Sequence, residues 1–187
     1  MNKPLALALA AALALSFGTA DAQVRVSGFG QVVAGKTTGS GTNYPGTGFD
    51  DDLDFREGSL FAVQVSADLN ERVSATGQIL ARGSESFDAE LAWAYATFKL
   101  DGGWSIQAGR QRTPFFRYSD FLDVGYAYPW IAPPRAVYNL PFNNADAIAI
   151  NWSTAFGSWF SQAKLMYGSF DGDIGGDNQG QLDDLMG

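Results

Sequence analysis

Residues 59–82 read SLFAVQVSADLNERVSATGQILAR. The apolar residues recur at every second position. Phe61, Val63, Val65, Ala67 and Leu69 fall on one side, with Gln64, Ser66 and Asp68 opposite. After Asn70-Glu71-Arg72, residues Val73, Ala75, Gly77, Ile79 and Ala81 stand against Ser74, Thr76, Gln78, Leu80 and Arg82. Successive side chains of a strand point to opposite faces, so this is the pattern of two two-faced strands joined by a tight turn.

The same period extends in both directions. Further runs occupy 24–35, 89–100, 104–112, 145–152 and 159–168, so seven strands are expected. Their connections alternate between short and long, and aromatic residues flank two of the short turns: Phe98 and Trp104 at one, Trp152, Phe156, Trp159 and Phe160 at the other. A soluble sandwich shares the period, and aromatic staples around its hairpins are the competing reading. Short turns alternating with long loops, strands near the ~9–11 residues of a tilted span, and an aromatic girdle are the marks of a transmembrane β-barrel. The expected fold is therefore all-β: an antiparallel transmembrane barrel, incomplete at about seven strands. Its lipid-facing stripe is expected to include Phe61, Val63 and Val65 and, one hairpin on, Leu91, Trp93 and Tyr95.

The longest interruption, 113–144, holds nine aromatic residues and five prolines. So many rings call for burial, and the prolines pre-set a rigid path, so the loop is expected to fold back into the barrel. Charges surround it: Arg110, Arg112, Arg117, Asp120, Asp123 and Arg135 are the candidate residues of a pore constriction, where opposed charges sort solutes. Ordinary surface ion pairing is the alternative. Arg110 and Arg112 share parity with Trp104, Ile106 and Ala108. Bringing both arginines to a lumen therefore calls for a bulge near Gly109; otherwise this wall faces another subunit.

Composition narrows the chemistry. The chain has 187 residues, 12 Lys+Arg, 20 Asp+Glu, a net charge of −8, and neither cysteine nor histidine. Thiolate nucleophiles, disulfides, Cys/His zinc sites and His-based triads are excluded, and the acidic balance argues against nucleic acid. No carboxylate pair stands out as a glycosidase couple, so the expectation is no enzyme and no cofactor. The acidic runs 50–54 and 171–177 lack the EF-hand pattern and read as solvated loops rather than calcium sites. Residues 1–22, a short polar start, an Ala/Leu run and Ala20-Asp21-Ala22, read as a secretory signal peptide, leaving 23–187 as the barrel domain.

GFGQVVAG at 28–35, ELAWAYATFKL at 90–100 and GRQRTPFF at 109–116 together resemble the N-terminal part of a Gram-negative outer-membrane porin, over roughly 24–168. The resemblance implies a 16-stranded barrel in its complete form, usually a homotrimer, embedded in outer-membrane lipid and passing small hydrophilic solutes by passive diffusion. It makes the third long loop the constriction and matches Arg110 to an arginine projected into the pore. Arg112, Arg117, Asp120 and Asp123 are candidates by proximity. Seven strands and no C-terminal aromatic lead to the expectation of an N-terminal portion that makes a half-barrel on its own. A small closed barrel of about eight strands binding a ligand or partner, in the outer membrane or periplasm, is the alternative, with its eighth strand inside the aromatic loop.

Overall fold

The structure is a computed structural model that describes residues 23–39, 48–130, 138 and 143–170. Seven strands follow one another along the chain: β1 (Gln23–Gln31), β2 (Leu60–Asp68), β3 (Val73–Arg82), β4 (Ala89–Lys99), β5 (Trp104–Arg112), β6 (Asn144–Phe156) and β7 (Trp159–Ser169). Each pairs antiparallel with the next, in the order β1-β2-β3-β4-β5-β6-β7, giving one sheet that is not closed and whose edges are β1 and β7. The expected signal peptide, 1–22, and the acidic run 171–177 lie outside the described residues.

Strand positions follow the period closely, with two differences at the ends. The first run stops at Gln31 rather than continuing to 35, because β2 begins at Leu60 and offers no further partner. Beyond that point Gln31 donates to the Gly58 carbonyl, the Val33 amide donates to Ser59 Oγ, and Gly35 bridges to Asp54. β6 runs on to Phe156, held by β7 through Phe156↔Trp159.

Local chemistry sets the turns. In 69–72 the Asn70 side chain accepts from the amides of Arg72 and Val73, which closes the β2–β3 hairpin. In 100–103, Gly102 and Gly103 both have positive φ, and a Cβ on Gly103 would lie 2.1 Å from the Ser153 carbonyl oxygen, so only glycine fits there. Connections 69–72, 100–103 and 157–158 lie at one end of the sheet. The longer ones, 32–59, 83–88 and 113–143, lie at the other.

Register sorts every strand residue onto one of two faces. Rows such as Val26–Val65–Gly77–Ala94 and Phe98–Ile106–Ile150–Leu165 define an open face of valine, isoleucine, alanine and aromatic side chains. Opposite them, rows such as Gln64–Gln78–Trp93 and Thr97–Gln107–Ala149 define a face of amides, hydroxyls and alanines. The small apolar cluster lies on this second face: Leu60, Ala62, Leu80 and Ala92, with Phe29 and Trp93 packed against it.

One expectation about the faces is corrected. Ile79 pairs with Leu91 but Gln78 pairs with Trp93, so β4 carries one extra residue, Ala92, opposite β3. This bulge reverses the phase of the rest of β4. Leu91 stays on the open face as expected. Trp93 and Tyr95 turn to the polar face, and Ala94, Ala96 and Phe98 take their places. The described part of the long aromatic loop, 113–130, consists of turns and two 3-10 turns at Ser119–Phe121 and Gly125–Ala127, so the eighth strand of the alternative reading is absent among the described residues.

Candidate functional site

The polar face is laced by side chains of neighbouring strands. Gln78 donates to Gln64 (3.1 Å), Ser66 meets Thr76 (3.3 Å), Gln107 donates to Thr97 (3.5 Å) and Asn151 donates to Gln107 (3.2 Å). These cross-strand pairs satisfy polar groups within the wall itself. Arg25 of β1 closes on Asp68 of β2 at 3.0 Å on the same face.

At the long-loop end of that face, the chain leaving β5 is clamped to the sheet by charge. Asp123, in the loop, accepts from Arg82 at the end of β3 (2.9 Å) and from Arg112 at the end of β5; Arg82 also pairs with Glu90 of β4. One carboxylate thus spans two guanidinium groups from strands two apart. Arg112 is 4 % exposed and Asp123 8 %, which takes this cluster out of the class of weak surface pairs. The Arg112 guanidinium also lies 6.0 Å above the Trp93 ring, a contact that exists because the β4 bulge brings Trp93 to this face.

The rest of the described loop packs on itself. Tyr118 sits amid Tyr128 (5.9 Å), Trp130 (6.2 Å) and Tyr138 (6.3 Å), and Phe116 meets Tyr138 in a tilted contact at 4.9 Å. Tyr128 is buried and donates its hydroxyl to the Leu122 carbonyl at 2.7 Å. Burial, reinforced by the nearby Asp123 charge, pushes its hydroxyl up to about 12. The expected burial of the aromatic rings is met only in part between 113 and 130: Tyr128 is buried and Phe116 and Tyr118 are half-buried, whereas Phe115, Phe121, Tyr126 and Trp130 stand exposed.

The expected constriction residues separate into distinct places. Arg112 and Asp123 come together in the clamp. Asp120 is exposed on the loop, and its charge reaches Lys164 of β7. Arg117 is exposed and has no ion pair among the described residues. Arg135 lies outside the described residues. Arg110 goes elsewhere: registers from β4 to β5 and from β5 to β6 run unbroken through Gly109, so the bulge that one of the two readings of this strand called for does not occur. Gly109 instead has φ +127°, and a Cβ would lie 2.2 Å from the Ala94 carbonyl oxygen. Arg110 consequently stays on the open face with Ala108 and Ile106. There it grips Asp146, Nε to Oδ1 at 3.0 Å and Nη2 to Oδ2 at 3.2 Å. Arg112 lies beyond the last β4–β5 pair, Ala94↔Arg110, and reaches the loop.

Arg82, Glu90 and Trp93 are the site residues that sequence reasoning passed over. Arg82 carried a readable signal, since it ends a run on the polar side, at the mouth of a long connection. Trp93 carried none, because its face depends on the bulge. Among the described residues no group of three or more acidic side chains converges to hold a metal ion. In the 50–54 run, Asp50 Oδ1 accepts from the Asp52 amide and Asp54 Oδ1 from the Arg56 amide, so both carboxylates serve their own turns. No family model, curated protein or solved structure matches the chain.

Proposed function

We propose that this sheet is wall material of an outer-membrane diffusion channel of the porin kind. In this reading the open face meets lipid and the polar face lines a water-filled lumen for small hydrophilic solutes. The loop from 113, held by Asp123, narrows that lumen. The observation that carries the reading is the open face: across seven strands its charged residues are confined to the long-loop end, where Arg110 and Asp146 neutralise each other and Arg112, the last residue of β5, is drawn to Asp123 of the loop. A bilayer accepts such a face, and it accepts strands only where their backbone groups are paired, so β1 and β7 need strand partners in the finished channel. A homotrimer, a passive mechanism and an outer-membrane location belong to this proposal. Loop and wall charges on the polar face, Asp120 and Lys164 among them, meet the solute.

The absence of cysteine makes the test clean. Single cysteines at Val63, Val65 and Ile79 (open face) and at Gln64, Thr76 and Gln107 (polar face) are introduced into the chain exported to a Gram-negative envelope. The proposal expects membrane-impermeant maleimides to label the polar-face set and lipid-soluble maleimides to label the open-face set. Equal labelling of both sets by the impermeant reagent overturns it.

A further inference from the structure

The turn between β3 and β4 places two consecutive non-glycine residues in the left-handed region, Ser86 (φ 57°) and Phe87 (φ 60°). That conformation is costly for a bulky aromatic residue and persists only where the surroundings hold it. The hold is visible: the Ser86 amide donates to Gly83, Phe87 to Arg82 and Asp88 to Glu85, at 2.8–3.0 Å. Gly83 itself is pressed against Arg56, where a Cβ would lie 2.1 Å from the carbonyl oxygen. The strain is not repaid by burying the ring, because Phe87 remains 39 % exposed. Its ring lies 6.0 Å from that of Phe61, which belongs to the open face in the row Phe61–Ala81–Ala89. The two alanines leave room for Phe87 to fold over that row.

Position identifies what such a ring meets. At the opposite end of the open face stand Phe98, Trp104, Trp152, Phe156 and Trp159, with Trp104 and Trp152 6.1 Å apart. Along β3, the Phe61 row at Ala81 and the Phe98 row at Val73 are eight residues apart, about 27 Å at ~3.4 Å per residue and roughly 20 Å once tilted. Along β7, Tyr167 and Trp159 repeat the same interval on the same face. That interval is close to the height of an apolar membrane band with an aromatic belt at each boundary.

We infer that Phe87, turned by the strained Ser86–Phe87 pair onto Phe61, is an anchor for the headgroup–acyl boundary of the bilayer on the long-loop side. This rests on the open face meeting lipid. Single cysteines at Phe87, Glu85 and Val63 carry an environment-sensitive fluorophore, in the full chain reconstituted into phosphatidylcholine vesicles. Quenching is read from lipids bearing a nitroxide high or low on the acyl chain. The inference expects the probe at 87 to be quenched about twofold more by the high nitroxide, Val63 more by the low one, and Glu85 by neither. Quenching at Val63 with none at 87, or with 87 quenched most by the low nitroxide, overturns the anchor and leaves the lipid-facing wall standing. No quenching at any of the three overturns the wall as well. Should Phe87→Cys prevent folding, Phe61→Cys replaces it with the same shallow expectation, and deep or absent quenching there overturns the anchor.

Discussion

Along β6, Ala147 and Ala149 are 7 % and 0 % exposed, whereas their neighbours Ile148 and Ile150 are 60 % and 43 % exposed. One strand thus buries its small side chains on the loop-bearing face and presents its large apolar ones on the open face. The inner strands β2, β3 and β4 repeat this: Leu80 and Gln78 are buried on one side while Val63, Ile79 and Leu91 stand open on the other. Water alone favours the reverse distribution, since contiguous apolar surface of this extent is removed from solvent whenever a partner is available. The comparison teaches that the two faces are built for two surroundings. One gains its order from hydrogen bonds and ion pairs between strands and loop; the other is completed by what it meets.

The largest expected effect breaks the polar side. Asp123→Ala leaves the guanidinium groups of Arg82 and Arg112 without their shared carboxylate in a buried setting, an uncompensated charge that costs about 3–5 kcal/mol. Urea unfolding reads the loss, and protease cutting between 113 and 130 rises with it as the loop leaves the sheet. An unchanged midpoint and an uncut loop would show that the aromatic cluster around Tyr118 holds the loop unaided. A smaller effect belongs to the open side. Arg110→Ala removes a half-exposed pair with Asp146 and is expected to cost at most about 1 kcal/mol by the same measurement. A cost as large as that of Asp123→Ala would mean that the open-face pair, too, is buried in the assembled molecule.

The smallest effect is one of pH. Tyr128 has its folded value raised from about 10 to about 12, first by burial and then by Asp123. Its contribution to the packed loop is therefore fully present below about pH 10 and is lost as pH rises toward about 12. Near-ultraviolet dichroism of the aromatic cluster is expected to fade across that window, and the part of the fading due to Tyr128 is expected to vanish in Tyr128→Phe, whose ring cannot ionise and which also lacks the bond to Leu122.

Much of this architecture was legible from period two alone. β3 and β5 coincide with their runs because Asn70 and the Asp101-Gly102-Gly103 turn mark their boundaries unmistakably. The faces of β2 and β3 were equally plain, since valine alternates there with serine, threonine and glutamine. β4 was not: alanine occupies Ala92, Ala94 and Ala96, small enough for either face, so nothing local reports the extra residue that sends Trp93 and Tyr95 to the other side. The error propagated to the site, because Trp93 beneath Arg112 is part of what orders the clamp. Arg110 and Arg112 posed the converse problem. Their shared parity suggested one fate for both, but only Arg112 lies past the last β4–β5 pair, where its guanidinium is drawn to Asp123 of the loop.

The most direct measurement of the central claim uses adjacent residues on opposite faces, Val63 and Gln64. In phospholipid vesicles, Val63→Arg is expected to lower stability by about 2–4 kcal/mol, while Gln64→Arg loses only its bond to Gln78, about 1 kcal/mol. A penalty for Val63→Arg no greater than that for Gln64→Arg would contradict the assignment of the open face to lipid.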